Sequence, residues 1–189
     1  MIRAGLFYWL LASSILAGPC PPTGDAKNAR IAALDALKNR QGAPLPIDAT
    51  ITIAAILKPG NDAARFAETK AAKITGYIAE VKPGGYESCN CHAKDLAHRD
   101  THVAIVADPK DFDNPRRYVI VEVTPRTRKP GLEQESLKAL LHKKVTVTGD
   151  IFFDAEHAQN AENTNPGGKD NWRATCVELH PVSEIKTAL

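Results

Sequence analysis

The chain has 189 residues, 43% of them hydrophobic and 24% charged, with a formal net charge of +2. That length supports one well-buried domain with an N-terminal addition, and the composition is that of an ordinary globular protein. The near-neutral balance argues against a protein that grips nucleic acid mainly through phosphates, which shows a clear basic excess.

The first residues have the physics of an export leader. Arg3 is a positive n-region, and Gly5 to Gly18 is uncharged and mostly apolar, as an h-region must be. Fourteen residues would span only ~21 Å as a helix, too short for a ~30 Å hydrocarbon core. Cleavage near Ala17 or Gly18 is expected, leaving no transmembrane span. With Arg3 removed, 24 basic side chains become 23 against 22 acidic ones. Lipid attachment at Cys20 is the rival reading, and Pro19 before it does not suit a lipoprotein signal. Export to the periplasm or medium puts Cys20, Cys89, Cys91 and Cys176 in oxidising surroundings. Four cysteines allow three pairings. A Cys89–Cys91 ring would be very tight, so more distant partners are favoured.

After a Pro-Pro-Thr-Gly linker, Asp25 is positioned to cap a helix running to about Gln41, with Ile31, Leu34 and Leu37 as its apolar stripe. Residues 43 to 71 are ambiguous, and Ala49 to Leu57 suits either a strand or a short helix. The readable part starts at Ala72. Strands are expected at Ala72–Val81, His102–Ala107, Arg117–Thr124, Lys144–Phe153 and Ala174–His180, the last ended by Pro181. A helix from Leu132 to about Lys143 lies between the third and fourth, with an acidic start, a basic end and Leu137, Leu140 and Leu141 on its apolar side. Long loops follow strands one and four. The chain thus divides into a leader (1–18), a linker, helix and extension (19–71), and a β domain (72–189).

The order strand, strand, strand, helix, strand, strand resembles the oligonucleotide/oligosaccharide-binding barrel, the OB-fold. The fold expected is therefore mainly β: an OB-fold-like five-stranded barrel with a helix between strands 3 and 4, plus an N-terminal helix. In that fold the loops at 82–101 and 154–173 flank the ligand face. A second resemblance is local. Gly76-Tyr77 through Cys89-Asn90-Cys91, Arg99-Asp100-Thr101-His102, and Phe152-Phe153-Asp154-Ala155-Glu156-His157 through Trp172-Arg173-Ala174-Thr175 to Glu178-Leu179-His180-Pro181-Val182 resemble a group of uncharacterised exported bacterial proteins. That resemblance implies a shared fold and no mechanism.

Asp100 and His102 share one face of a strand, where the carboxylate could orient the imidazole for metal support or base catalysis, or simply tie loop to strand. Cys176, Glu178 and His180 face away from the core side of strand five, as a polar outer stripe does. The topology brings His180 toward Asp100 and His102, the candidate catalytic residues. It also places Cys89, Cys91 and His92 near His102, a candidate metal set whose spacing matches no standard zinc pattern. His157 is expected at the other pole. His157, Asn163, Asn165, Trp172 and Arg173 are candidate ligand contacts, with Asn side chains for hydroxyls or base edges and Trp172 for stacking. Arg126, Arg128 and Lys129 form a candidate anion patch. The function expected is an exported binding module for an oligosaccharide, a cell-envelope component or, less favoured on charge, single-stranded nucleic acid. A metal-dependent hydrolase using Asp100, His102 and His180 and a structural envelope protein are the alternatives. No cofactor is required, and a divalent metal is the one contemplated.

Overall fold

The computed structural model describes residues 20–188, so the leader expected over 1–18 lies outside the described residues. Five strands, β1 (Ala71–Pro83), β2 (Thr101–Val106), β3 (Val119–Val123), β4 (Lys144–Phe153) and β5 (Val177–Thr187), close a barrel in the order β1-β2-β3-β5-β4. β3 and β5 pair in parallel and every other pair is antiparallel. This is the order of the OB-fold barrel, in which closure removes the free sheet edges. Among the described residues three α-helices accompany it: α1 (Ala29–Lys38), α2 (Ile53–Ile56) and the short α3 (Gln134–Lys138) between β3 and β4.

Alternation puts Ile74, Ile78, Val103, Ile105, Val121, Val147 and Leu179 inside the barrel, where all are buried. Ile53 and Ile56 of α2 and Leu137 of α3 join the same core. Gly76 is required at this junction. A Cβ there would lie 2.4 Å from the Val106 carbonyl oxygen and 2.8 Å from Ile53 Cδ1, so only glycine lets β1, β2 and α2 meet.

Several elements depart from the sequence expectation. α1 begins at Ala29, because Asn28 accepts the Ile31 amide at 3.0 Å as N-cap. Asp25 is taken up instead by His92 Nδ1 at 2.9 Å. The deepest residues of α1 and its C-cap are Asp35, Lys38 and Asn39, while Ile31, Leu34 and Leu37 are only half-buried. The helix therefore docks through its polar side. The helix expected to Lys143 stops at Lys138, and Leu141 is exposed. Strand five does not end at Pro181 but runs through it to Thr187. The reason is a bulge. Register shifts flank Gly149, so that Gly149 pairs with Val182 and Ile151 with Leu179. Pro181 then falls between paired positions, at the bulge, a place proline tolerates.

Candidate functional site

The outward residues of β2, β3 and β5 are polar at one end: His102, Glu122, Glu178 and His180, with Thr124 just past the end of β3. An exposed polar stripe was the expectation for Glu178 and His180, yet they are 2% and 0% accessible. Two loops and α1 cover them. The β1–β2 loop contributes Glu87, Cys89, Asn90 and Asp100. The β4–β5 loop contributes Asp154, Glu156, His157, Trp172 and Arg173. Lys38 of α1 joins the loops, with Nζ 2.7 Å from Glu87 and 3.2 Å from Glu156.

Beneath this cover runs a continuous polar layer. His102 Nε2 lies 3.2 Å from Glu122 Oε1 and 3.7 Å from Glu87. His180 Nε2 is 2.8 Å from the Thr124 hydroxyl, and its Nδ1 is 3.3 Å from Glu122 Oε2. Asp100 accepts from Asn90 Nδ2 at 2.7 Å and from the Cys89 thiol at 3.5 Å. Asp100 and His102 thus share a face but make no bond to each other; Glu122 is the carboxylate that holds His102. The bonds that are made tie the loops to the barrel, while Asp100 Oδ1, Glu122 Oε2 and His180 Nδ1 are left without a hydrogen-bond partner.

The charges follow the partners. Burial opposes charge on His102, but Glu122 and Glu87 overcome it and push the imidazole up to about 11. Glu87 is held well below the usual carboxylate range against its burial by His102 and Lys38. Burial, aided by Glu122 and Glu87, raises Asp100. Burial, reinforced by Asp100 and Glu87, pushes the Cys89 thiol far up. Arg173 forks between two carboxylates, with Nη1 2.5 Å from Glu178 and Nη2 2.8 Å from Asp154. One fixed cation faces two acids. Asp154 overcomes its burial with bonds from His157 and Arg173 and is held low, whereas burial and the Asp154 and Glu122 charges push Glu178 up. The one guanidinium thus sits between a carboxyl held low, Asp154, and one pushed up by burial, Glu178.

A cleft of about 240 Å³ opens onto this layer, lined among others by His102, Glu122, His157, Trp172, Arg173 and Glu178. His157 was expected at the opposite pole. It shares the cleft with His102 because the β4–β5 loop folds back over the sheet, Asp154 capping the 3-10 turn Ala155–Asn160 and bonding His157 Nδ1 at 2.5 Å. Trp172 is 39% exposed, with the Arg173 guanidinium 5.2 Å from its ring centre.

Other candidates lie elsewhere. Cys91 is disulfide-bonded to Cys20, with Cα atoms 5.8 Å apart, so neither sulfur is free to ligate a metal. Cys89 and Cys176 are buried free thiols. His92, paired with Asp25, does not join His102. Asn163 is buried against Asp62 and the Lys58 carbonyl, and Asn165 donates to the Gln159 carbonyl; both brace the loop. The expected anion patch is spent on backbone: Arg126 donates to the Cys20 carbonyl, Arg128 to those of Ala97, Arg99 and Val123, and Lys129 to that of Ser183.

Glu87, Glu122, Asp154 and Lys38 carry much of the site without having stood out in the sequence. Glu122 had a legible signal, since Val121 and Val123 face the core and so turn it to the His102 side. The acidic and histidine groups of this layer could hold a metal ion. No helix among the described residues is long and apolar enough to cross a membrane. Comparison with protein-family models, with curated proteins and with solved structures finds no match for this chain.

Proposed function

We propose that the protein is an exported binding module whose cleft takes a polar, hydroxyl-rich ligand, a short oligosaccharide or another cell-envelope component. The observation that carries this reading is Trp172. An aromatic ring exposed at the rim of a cleft floored by fixed donors and acceptors is the arrangement that stacks on a sugar face and counts its hydroxyls. The cleft lies on the barrel face that OB-folds use for ligands. Its lining mixes His102 and Arg173 with Glu122 and Glu178, so a neutral ligand suits it better than a run of phosphates. Export is supported by the leader-like segment and by the Cys20–Cys91 disulfide. The local resemblance to exported bacterial proteins agrees with it.

The hydrolase reading needs Asp100, His102 and His180 around one substrate. Asp100 and His180 are 1% and 0% accessible, and of the three only His102 lines the cleft. That separation favours binding over hydrolysis.

The test is direct, because cleavage of the leader removes Trp9 and leaves Trp172 as the sole tryptophan. Its fluorescence is titrated with soluble peptidoglycan fragments, neutral oligosaccharides and single-stranded DNA. A saturable shift with a glycan, abolished in His157→Ala, is expected. A salt-sensitive response to DNA alone would replace the glycan by nucleic acid, and silence to all of them would favour a structural envelope role.

A further inference from the structure

We propose that Asp100, Glu122 and His180 bind one divalent transition-metal ion of the zinc class in a closed, structural site beneath the cleft. Ligand atoms of these three residues lie within 4.8 Å of one another, and all three residues are at least nine-tenths buried. The site is independent of the ligand reading above.

Hydrogen-bond direction carries the argument. The Thr124 hydroxyl is 3.2 Å from the Lys38 carbonyl, which can only accept, so the hydroxyl proton points there. The same oxygen, 2.8 Å from His180 Nε2, must then accept from it. Nε2 therefore carries a proton, and in the neutral ring the Nδ1 lone pair faces Glu122 Oε2 at 3.3 Å. Nδ1, Glu122 Oε2 and Asp100 Oδ1 are all buried and all lack a hydrogen-bond partner. Each residue thus brings an unpartnered, buried electron-rich atom to a cluster whose ligand atoms lie within 4.8 Å of one another, an arrangement that a bound cation satisfies. The wider layer points the same way. Among the described residues of the layer, the carboxyl groups of Asp35, Glu87, Asp100, Glu122, Asp154 and Glu178 outnumber the cations Lys38, Arg173 and His102.

Donor chemistry selects the ion. One imidazole nitrogen with two carboxylate oxygens suits zinc or its neighbours, whereas calcium takes six to eight oxygens. Supporting contacts are in place. Thr124 orients His180 through the far ring nitrogen, and His102 holds the other oxygen of Glu122 at 3.2 Å. Cys89, with Sγ 3.5 Å from Asp100 Oδ2, is the nearest further donor.

The experiment is metal analysis of the mature full chain, as purified and after chelation and reloading with Zn²⁺ or Co²⁺. About one ion per chain is expected, with a Co²⁺ visible spectrum of few-coordinate nitrogen and oxygen ligation and a thiolate charge-transfer band if Cys89 joins. His180→Gln and Asp100→Asn should each drop the ion content at least tenfold, while His92→Ala keeps it. In case those variants fail to fold, imidazole NMR of the wild type gives a second reading: the His180 Nδ1 signal should move on Zn²⁺ addition while Nε2 keeps its proton. Failure to retain or take up either ion overturns the site. So does an ion that survives His180→Gln but is lost in His102→Ala. Protons on both His180 nitrogens under saturating Zn²⁺ would show that an imidazolium, not a metal, fills the gap. Trp172 titrations with glycans read the cleft separately, so either proposal can fail alone.

Discussion

Arg173 is the residue on which the β4–β5 loop turns. It is 2% accessible and serves Glu178 on the barrel and Asp154 in the loop at once. Removing one member of a buried ion pair strands the others, so Arg173→Ala is expected to cost about 3–5 kcal/mol by urea unfolding. Arg173→Lys should not restore it, because a single ammonium cannot reproduce the fork. The same triad sets an acid limit. Asp154 is held below the ~3.9 of a free aspartate. Its contribution is fully present above that value and is lost as pH falls toward the lower folded-state value. Stability should therefore drop steeply below about pH 4, and the drop should be shallower in Asp154→Asn, as thermal unfolding at stepped pH would show.

Between elements, the Cys20–Cys91 disulfide ties the segment before α1 to the β1–β2 loop across 71 residues. A closure of that length is worth roughly 4 kcal/mol on the chain-entropy account. Cys91→Ser, or reduction of the wild type, should lower the thermal midpoint by several degrees and expose the 84–100 loop to protease. Lys38 works in parallel, bridging Glu87 and Glu156 from α1. Both partners retain some exposure, so Lys38→Ala should cost less than Arg173→Ala, about 2 kcal/mol. It should also weaken any cleft ligand by freeing the two loops, measurable on the Trp172 titration.

For the whole molecule, much of the barrel was legible because alternation is local. Val103 and Ile105, Val119 to Val123, and Lys144 to Phe153 declare their strands by period alone, and a helix between the third and fourth then leaves few topologies. The same alternation placed Glu178 and His180 on the outer face but said nothing of what lies over it. Burial of an outer face depends on chain packed there from far away, and α1 does so through Asp35, Lys38 and Asn39, residues that read as solvated in a helical pattern. The choice of Cys20 for Cys91, the spending of Arg126 and Arg128 on carbonyls and the return of His157 to the cleft all rest on contacts across many tens of residues. By itself the sequence determined the succession of strands and the two long loops between them. Only the tertiary structure decided that these loops seal a charged layer, because a side chain's partners, unlike its period, are set by which distant backbone comes to rest against it.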